Sequence, residues 1–102
     1  MSPSPIEQVN SLIYETVEDI LGGAAASVFF KQLETKHGLK ASRVAETPQP
    51  FSRLLESFFG AGGQAIERAI VLKLSEQFGP EVSSKPFLEA VGDLARRGDE
   101  RS

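Results

Sequence analysis

From Ile6 onward, apolar side chains return every three or four residues. Ile6, Val9, Ile13, Val17, Ile20 and Leu21 line one side of a helix, and Glu7, Asn10, Glu15, Glu18 and Asp19 fall largely elsewhere. Ser4-Pro5-Ile6-Glu7 reads as a capping box, with Pro5 in the first turn where no amide donor is lost, and Gly22 ends the helix. A second helix follows Gly23, carries Val28, Phe29, Phe30 and Leu33 on a broad apolar face, and stops at Gly38, a C′ glycine. Leu39 to Glu46 is the longest irregular stretch, pinned to the core by Leu39 and Val44. Thr47 is the expected N-cap of a third helix, with Pro48 and Pro50 in its first turn. Phe51, Leu54, Leu55, Phe58 and Phe59 then form the densest apolar stripe, the expected centre of the core.

The fourth helix is predicted from about Gly63 to Phe78. Ile66, Ala69, Ile70, Val71, Leu72 and Leu74 cover more than half its circumference, so it is expected to be the most buried. Gly79-Pro80 ends it, because glycine permits a left-handed cap and proline cannot continue a helix. Ser83 or Ser84 is the expected cap of a fifth helix bearing Phe87, Leu88, Val91, Leu94 and Ala95, with Arg96 and Arg97 suited to its C-terminal dipole.

The fold class that follows is all-α: a compact bundle of about five helices, built as two similar helical hairpins plus a C-terminal helix. The expected organisation is a disordered start at 1–4 and one helical domain at 5–97. Within it lie a hairpin at 5–38, a linker at 39–46, a second hairpin at 47–79 and a C-terminal helix at 84–97, before a disordered tail at 98–102. A Gly-rich corner turns each hairpin, Gly22-Gly23 in the first and Gly60-Ala61-Gly62-Gly63 in the second. Val17 to Gly22 overlays Leu55 to Gly60, and Gly22 to Gly38 overlays Gly63 to Gly79, so the second joint reads as three residues longer. Glu18/Glu56, Ala24/Ala65, Leu33/Leu74 and Gly38/Gly79 are the notable matches.

Composition narrows the function more than the fold. With 102 residues, 40% of them apolar and 25% charged, the chain suits a single globular domain. The absence of cysteine excludes a disulfide framework, a thiolate metal site and a thiol nucleophile. A net charge of −3 gives no general attraction to nucleic acid or anionic lipid. No apolar run approaches the ~20 residues of a membrane span, and the start lacks the features of a signal peptide, so a cytoplasmic location is expected.

The second half carries a resemblance. Leu39-Lys40-Ala41-Ser42-Arg43-Val44-Ala45-Glu46-Thr47-Pro48, Phe51-Ser52-Arg53-Leu54-Leu55 and Phe58-Phe59-Gly60-Ala61-Gly62-Gly63-Gln64-Ala65-Ile66-Glu67-Arg68-Ala69-Ile70 resemble a small archaeal family, the Nitrosopumilus-type output domain. That family joins a glycine-ended helix to an aspartate- or threonine-proline cap, a phenylalanine-led helix, an FG-x-G corner and an IE-x-x-I helix. The resemblance covers roughly Ile6 to Gly79. It implies fold, and a place at the effector end of signalling chains, but no reaction. This chain departs from it at Pro50, where a charged residue is usual, and in its further C-terminal helix.

No catalytic, cofactor-binding or metal-ligating set emerges. His37 is the only histidine and is expected to pack at the core edge near a helix C-terminus. Glu15, Glu18 and Asp19 read as a solvated acidic face without the ligand-rich loop of a calcium site. Gly22, Gly23, Gly60, Gly62 and Gly63 read as structural corners, supplying positive φ and close helix approach. Gly62, Gly63 and Gln64 also permit an alternative, a helix-hairpin-helix-like contact to a nucleic-acid phosphate. Tyr14, at the edge of the apolar face, and the basic Lys36, Lys40 and Arg43 are the candidate interaction residues, beside Lys31. A third reading places an apolar ligand between the hairpins against Phe29, Phe30, Phe58 and Phe59; the competing one has these rings interdigitate. The favoured expectation is a non-enzymatic protein–protein interaction, output or adaptor module that needs no cofactor and forms a homo-oligomer, a dimer. Nucleic acid is the less favoured partner, and no membrane is expected.

Overall fold

A computed structural model describes the backbone of residues 4–100 and the side chains of 4–97. Five α-helices follow one another: α1 (Pro5–Leu21), α2 (Gly23–His37), α3 (Gln49–Phe59), α4 (Gly62–Phe78) and α5 (Phe87–Glu100). Two 3-10 helices, η1 (Ala41–Glu46) and η2 (Pro80–Ser84), join them in place of irregular loops, and no strand occurs among the described residues. The all-α bundle expected from the apolar spacing is therefore present. The hairpins α1–α2 and α3–α4 pack on each other chiefly through α1 and α4, with α5 laid across both.

The Ser4 half of the capping box opens α1: the Glu7 amide donates to the Ser4 hydroxyl at 3.2 Å, with Pro5 at the first helical position. Ser4 is thus an ordered cap rather than part of a disordered start; the rest of the 1–4 segment lies outside the described residues. Val9, Ile13 and Val17 are fully buried against α2, α4 and α5. Gly38 ends α2 in the left-handed conformation, φ 63° and ψ 22°, as a C′ glycine should.

Several local expectations are corrected. The 39–46 linker is a 3-10 helix from Ala41 because successive i to i+3 bonds form, such as Thr47 N–H to the Val44 carbonyl at 3.1 Å. Thr47 accordingly closes η1, and Pro48 occupies the cap position of α3. Ser83 and Ser84 lie in η2, where their hydroxyls donate to the Pro80 and Glu81 carbonyls and do not cap α5. Instead the first helical bond of α5 runs from the Ala90 amide to the Pro86 carbonyl. The backbone of α5 stays helical to Glu100, so Gly98 to Glu100 are not a coil tail; residues 101–102 lie outside the described set. Arg97 lies in the last turn of α5, as expected, with Arg96 just before it, and the two pair with Glu81 and Asp93 respectively.

The core also differs in detail. Phe51, Leu54 and Leu55 are buried as expected, but Phe58 and Phe59, a turn later, are 41% and 36% exposed although Phe58 touches Phe29 of α2. Ile20, Val28, Leu72 and Leu88 are likewise exposed members of predicted apolar faces. Helix α4 buries one face, through Gly63, Ile66, Ile70, Val71 and Leu74, and shares the centre with α1 instead of being the single most buried helix.

Candidate functional site: a corner, a clamp and a groove

Both hairpin corners use the same closing bond. The Gly22 amide donates to the Glu18 carbonyl at 2.8 Å and the Gly60 amide to the Glu56 carbonyl at 2.7 Å, each glycine at positive φ, 87° and 55°. The aligned Glu18/Glu56 pair thus marks equivalent backbone positions. Gly22 alone separates α1 from α2, whereas Gly60 and Ala61 separate α3 from α4. Of the three extra residues seen by alignment, one lies in the connection and two in the longer α4.

At the second corner, the amides of Gly63 and Gln64 already donate to the Gly60 and Ala61 carbonyls, both at 3.1 Å. The groove beside them, about 400 Å³, is lined by Ser52, Glu56, Gly60, Ala61, Gly63, Gln64 and Glu67. Burial raises the pKa of Glu67, the hydroxyl of Ser52 opposes this by donating to its carboxylate at 2.8 Å, and the charge of Glu56 adds to the rise. Occupied amides and two carboxylates make this corner a poor seat for a phosphate, which would lose both free donors and favourable charge.

Tyr14 sits elsewhere, on α1, half-buried and stacked on Phe30 with ring centroids 4.9 Å apart. It faces a groove of about 490 Å³ between α1 and η1, whose walls are Glu7, Asn10, Ser11 and Glu15 on one side and Ala41 and Ser42 on the other. Beneath them is a residue the amphipathic pattern assigned to the polar side. Asn10 is only 5% exposed; its side-chain amide donates to the Ser42 carbonyl at 2.8 Å, and its carbonyl accepts from the Ala45 amide at 2.7 Å. Both ends of the amide are thus used to clamp η1 onto α1. Being the sole asparagine of the chain was its only mark in the sequence, and its partners lie more than thirty residues away.

Lys40 and Arg43 bracket the Ala41–Ser42 wall in the chain and are exposed, as is Lys36 in the last turn of α2. Arg43 pairs with Glu46 at 2.7 Å. Lys40 and Arg43 thus flank in the chain the η1 wall of the groove that Tyr14 lines, while its lining itself comes from Ala41 and Ser42. His37, expected at the core edge, is exposed instead. Glu15, Glu18 and Asp19 are exposed; Glu15 and Asp19 border a cleft against Lys73, Glu76 and Gln77 of α4.

Between the hairpins the rings interdigitate. Phe29 meets Phe30, Phe51 and Phe58 edge-to-face at centroid distances of 5.3, 5.5 and 5.6 Å, filling the space proposed for an apolar ligand. Among the described residues no group of three or more histidine, aspartate or glutamate side chains is arranged to hold a metal, and no helix is long and apolar enough to cross a membrane. No family model matches the chain, and neither a curated protein nor a solved structure matches it.

Proposed function

We propose that this chain is a non-enzymatic protein–protein interaction module, an output or adaptor unit that works as a homo-oligomer, a dimer. The observation that carries the protein–protein interaction part of this reading is the exposed Phe58–Phe59 pair, ring centroids 5.9 Å apart at the end of α3. Two adjoining aromatic rings held by a rigid helix end offer a large contact area at small entropic cost. Phe58 also leans on buried Phe29, so the rings are presented by the core rather than by a loose loop. The resemblance of Leu39 to Ile70 to output domains supports the same class of function. The phosphate-contact alternative draws no comparable support, given the engaged amides of Gly63 and Gln64 and the carboxylates of Glu56 and Glu67 beside them.

Two measurements test the reading. Light scattering should give the chain a mass that is a multiple of 11.0 kDa, and a strict monomer at high concentration removes self-association from it. A photo-crosslinking residue in place of Phe58 should yield a discrete crosslinked protein species in a lysate. The Phe59→Ser background should lose it. Failure to crosslink anything overturns the docking role of the aromatic pair.

A further inference from the structure

The first hairpin carries opposite charges that its own fold leaves apart. Helix α1 has four acidic residues, Glu7, Glu15, Glu18 and Asp19, and no basic one. The segment from Gly23 to Arg43 has Lys31, Lys36, Lys40 and Arg43 against the single Glu34. Among the described ion pairs none joins α1 to α2 or η1; Arg43 turns to Glu46 within its own 3-10 helix, and both of those side chains stay largely exposed.

The groove of about 490 Å³ lies between these two fields. Its α1 wall carries Glu7 and Glu15, its η1 wall is bracketed by Lys40 and Arg43, and half-buried Tyr14 lies between. The Asn10 clamp fixes the spacing of the walls through its bonds to Ser42 and Ala45. An interface between two identical copies related by a two-fold axis must be self-complementary, and a patch with one acidic and one basic rim meets that condition.

We infer that this groove is where a second copy of the chain docks, resting on the reading of the module as a self-associating one. A two-fold axis through the groove sets the Glu7–Glu15 rim of each copy on the Lys40–Arg43 rim of the other. The two Tyr14 rings meet at the axis, where a partly buried aromatic backed by Phe30 serves as the central anchor. Charge complementarity of this kind fixes register and sets the rate of encounter.

Rim reversal tests the arrangement on the full chain. Glu7→Lys/Glu15→Lys makes both rims basic, and Lys40→Glu/Arg43→Glu makes both acidic. Each variant alone should associate at least about tenfold more weakly than the native chain at low salt, where charges act over about 30 Å. Mixed one to one, the two should form a heterodimer, since every acidic rim then faces a basic one. Circular dichroism checks that each variant keeps its helix content. If a variant unfolds, the native chain still decides the matter: its dimer should weaken progressively as salt rises toward 1 M, and one indifferent to salt overturns the proposal. A native dimer unaffected by rim reversal places the interface elsewhere while leaving self-association standing. A strictly monomeric native chain overturns both.

Discussion

At the first corner, Gly22 alone turns the chain and Gly23 has open space around it: an added Cβ meets nothing closer than the Glu18 carboxylate at 4.0 Å. At the second, Gly60 turns the chain in the same way, but a Cβ on Gly63 would lie 3.0 Å from the backbone carbon and oxygen of Leu55. Gly62, between them, would make an ordinary 3.6 Å contact with Phe59. The similar glycine clusters therefore answer two different needs. Positive φ is common to both corners, and close backbone approach belongs to the second, where α4 presses on α3. The difference shows that a repeated sequence motif can keep one physical role and acquire another.

Substitutions separate these roles. The largest effect is expected at Gly63→Ala, about 2–3 kcal/mol of lost stability by urea unfolding, because backbone cannot yield as a side chain does. Gly23→Ala should stay within about 0.5 kcal/mol of the native chain. Equal losses at the two positions would erase the distinction between the corners. Next come Gly22→Ala and Gly60→Ala, each costing about 1–2 kcal/mol through strain at positive φ. A wide gap between that pair would mean the shared closing bond is not the common requirement. Gly62→Ala should be neutral or stabilise by about 0.4–1 kcal/mol, since it restricts the unfolded chain and collides with nothing.

The smallest effect is electrostatic and belongs to the second corner. Burial holds the Glu67 pKa above its unfolded value, so the folded state binds the proton more readily, and stability falls as pH rises from the ordinary carboxylate range through the folded pKa. Glu67→Gln should remove that decline and raise stability at neutral pH by a fraction of a kcal/mol, because solvent screens a partly exposed carboxylate. Thermal melts of both chains across the acid range would read this out. An unchanged slope would show that the carboxylate beside the corner is not under burial strain.

The helices, their order and both corners were legible because helical periodicity and glycine stops are local signals. The two 3-10 segments were not, since Ala41–Glu46 and Pro80–Ser84 are too short to carry a 3.6-residue rhythm. Periodicity placed Phe58 on the same stripe as Phe51 and Leu54, yet it does not tell how much of a ring its neighbours cover: Phe58 touches Phe29 and still stays 41% exposed. Of the candidate site, Tyr14, Lys40 and Arg43 were identifiable from residue type. The groove between α1 and η1 was not, because it depends on Asn10, a polar residue whose value lies in two backbone partners remote in sequence.

That clamp has a kinetic meaning as well. The Ala45 amide sits in a six-residue 3-10 helix, an element that would ordinarily fray and exchange its hydrogens quickly. Held by the Asn10 carbonyl on α1, it can open only when η1 leaves the first hairpin. In hydrogen–deuterium exchange this single amide should fall among the slow protons of the core helices, a reporter of when the two walls of the groove part.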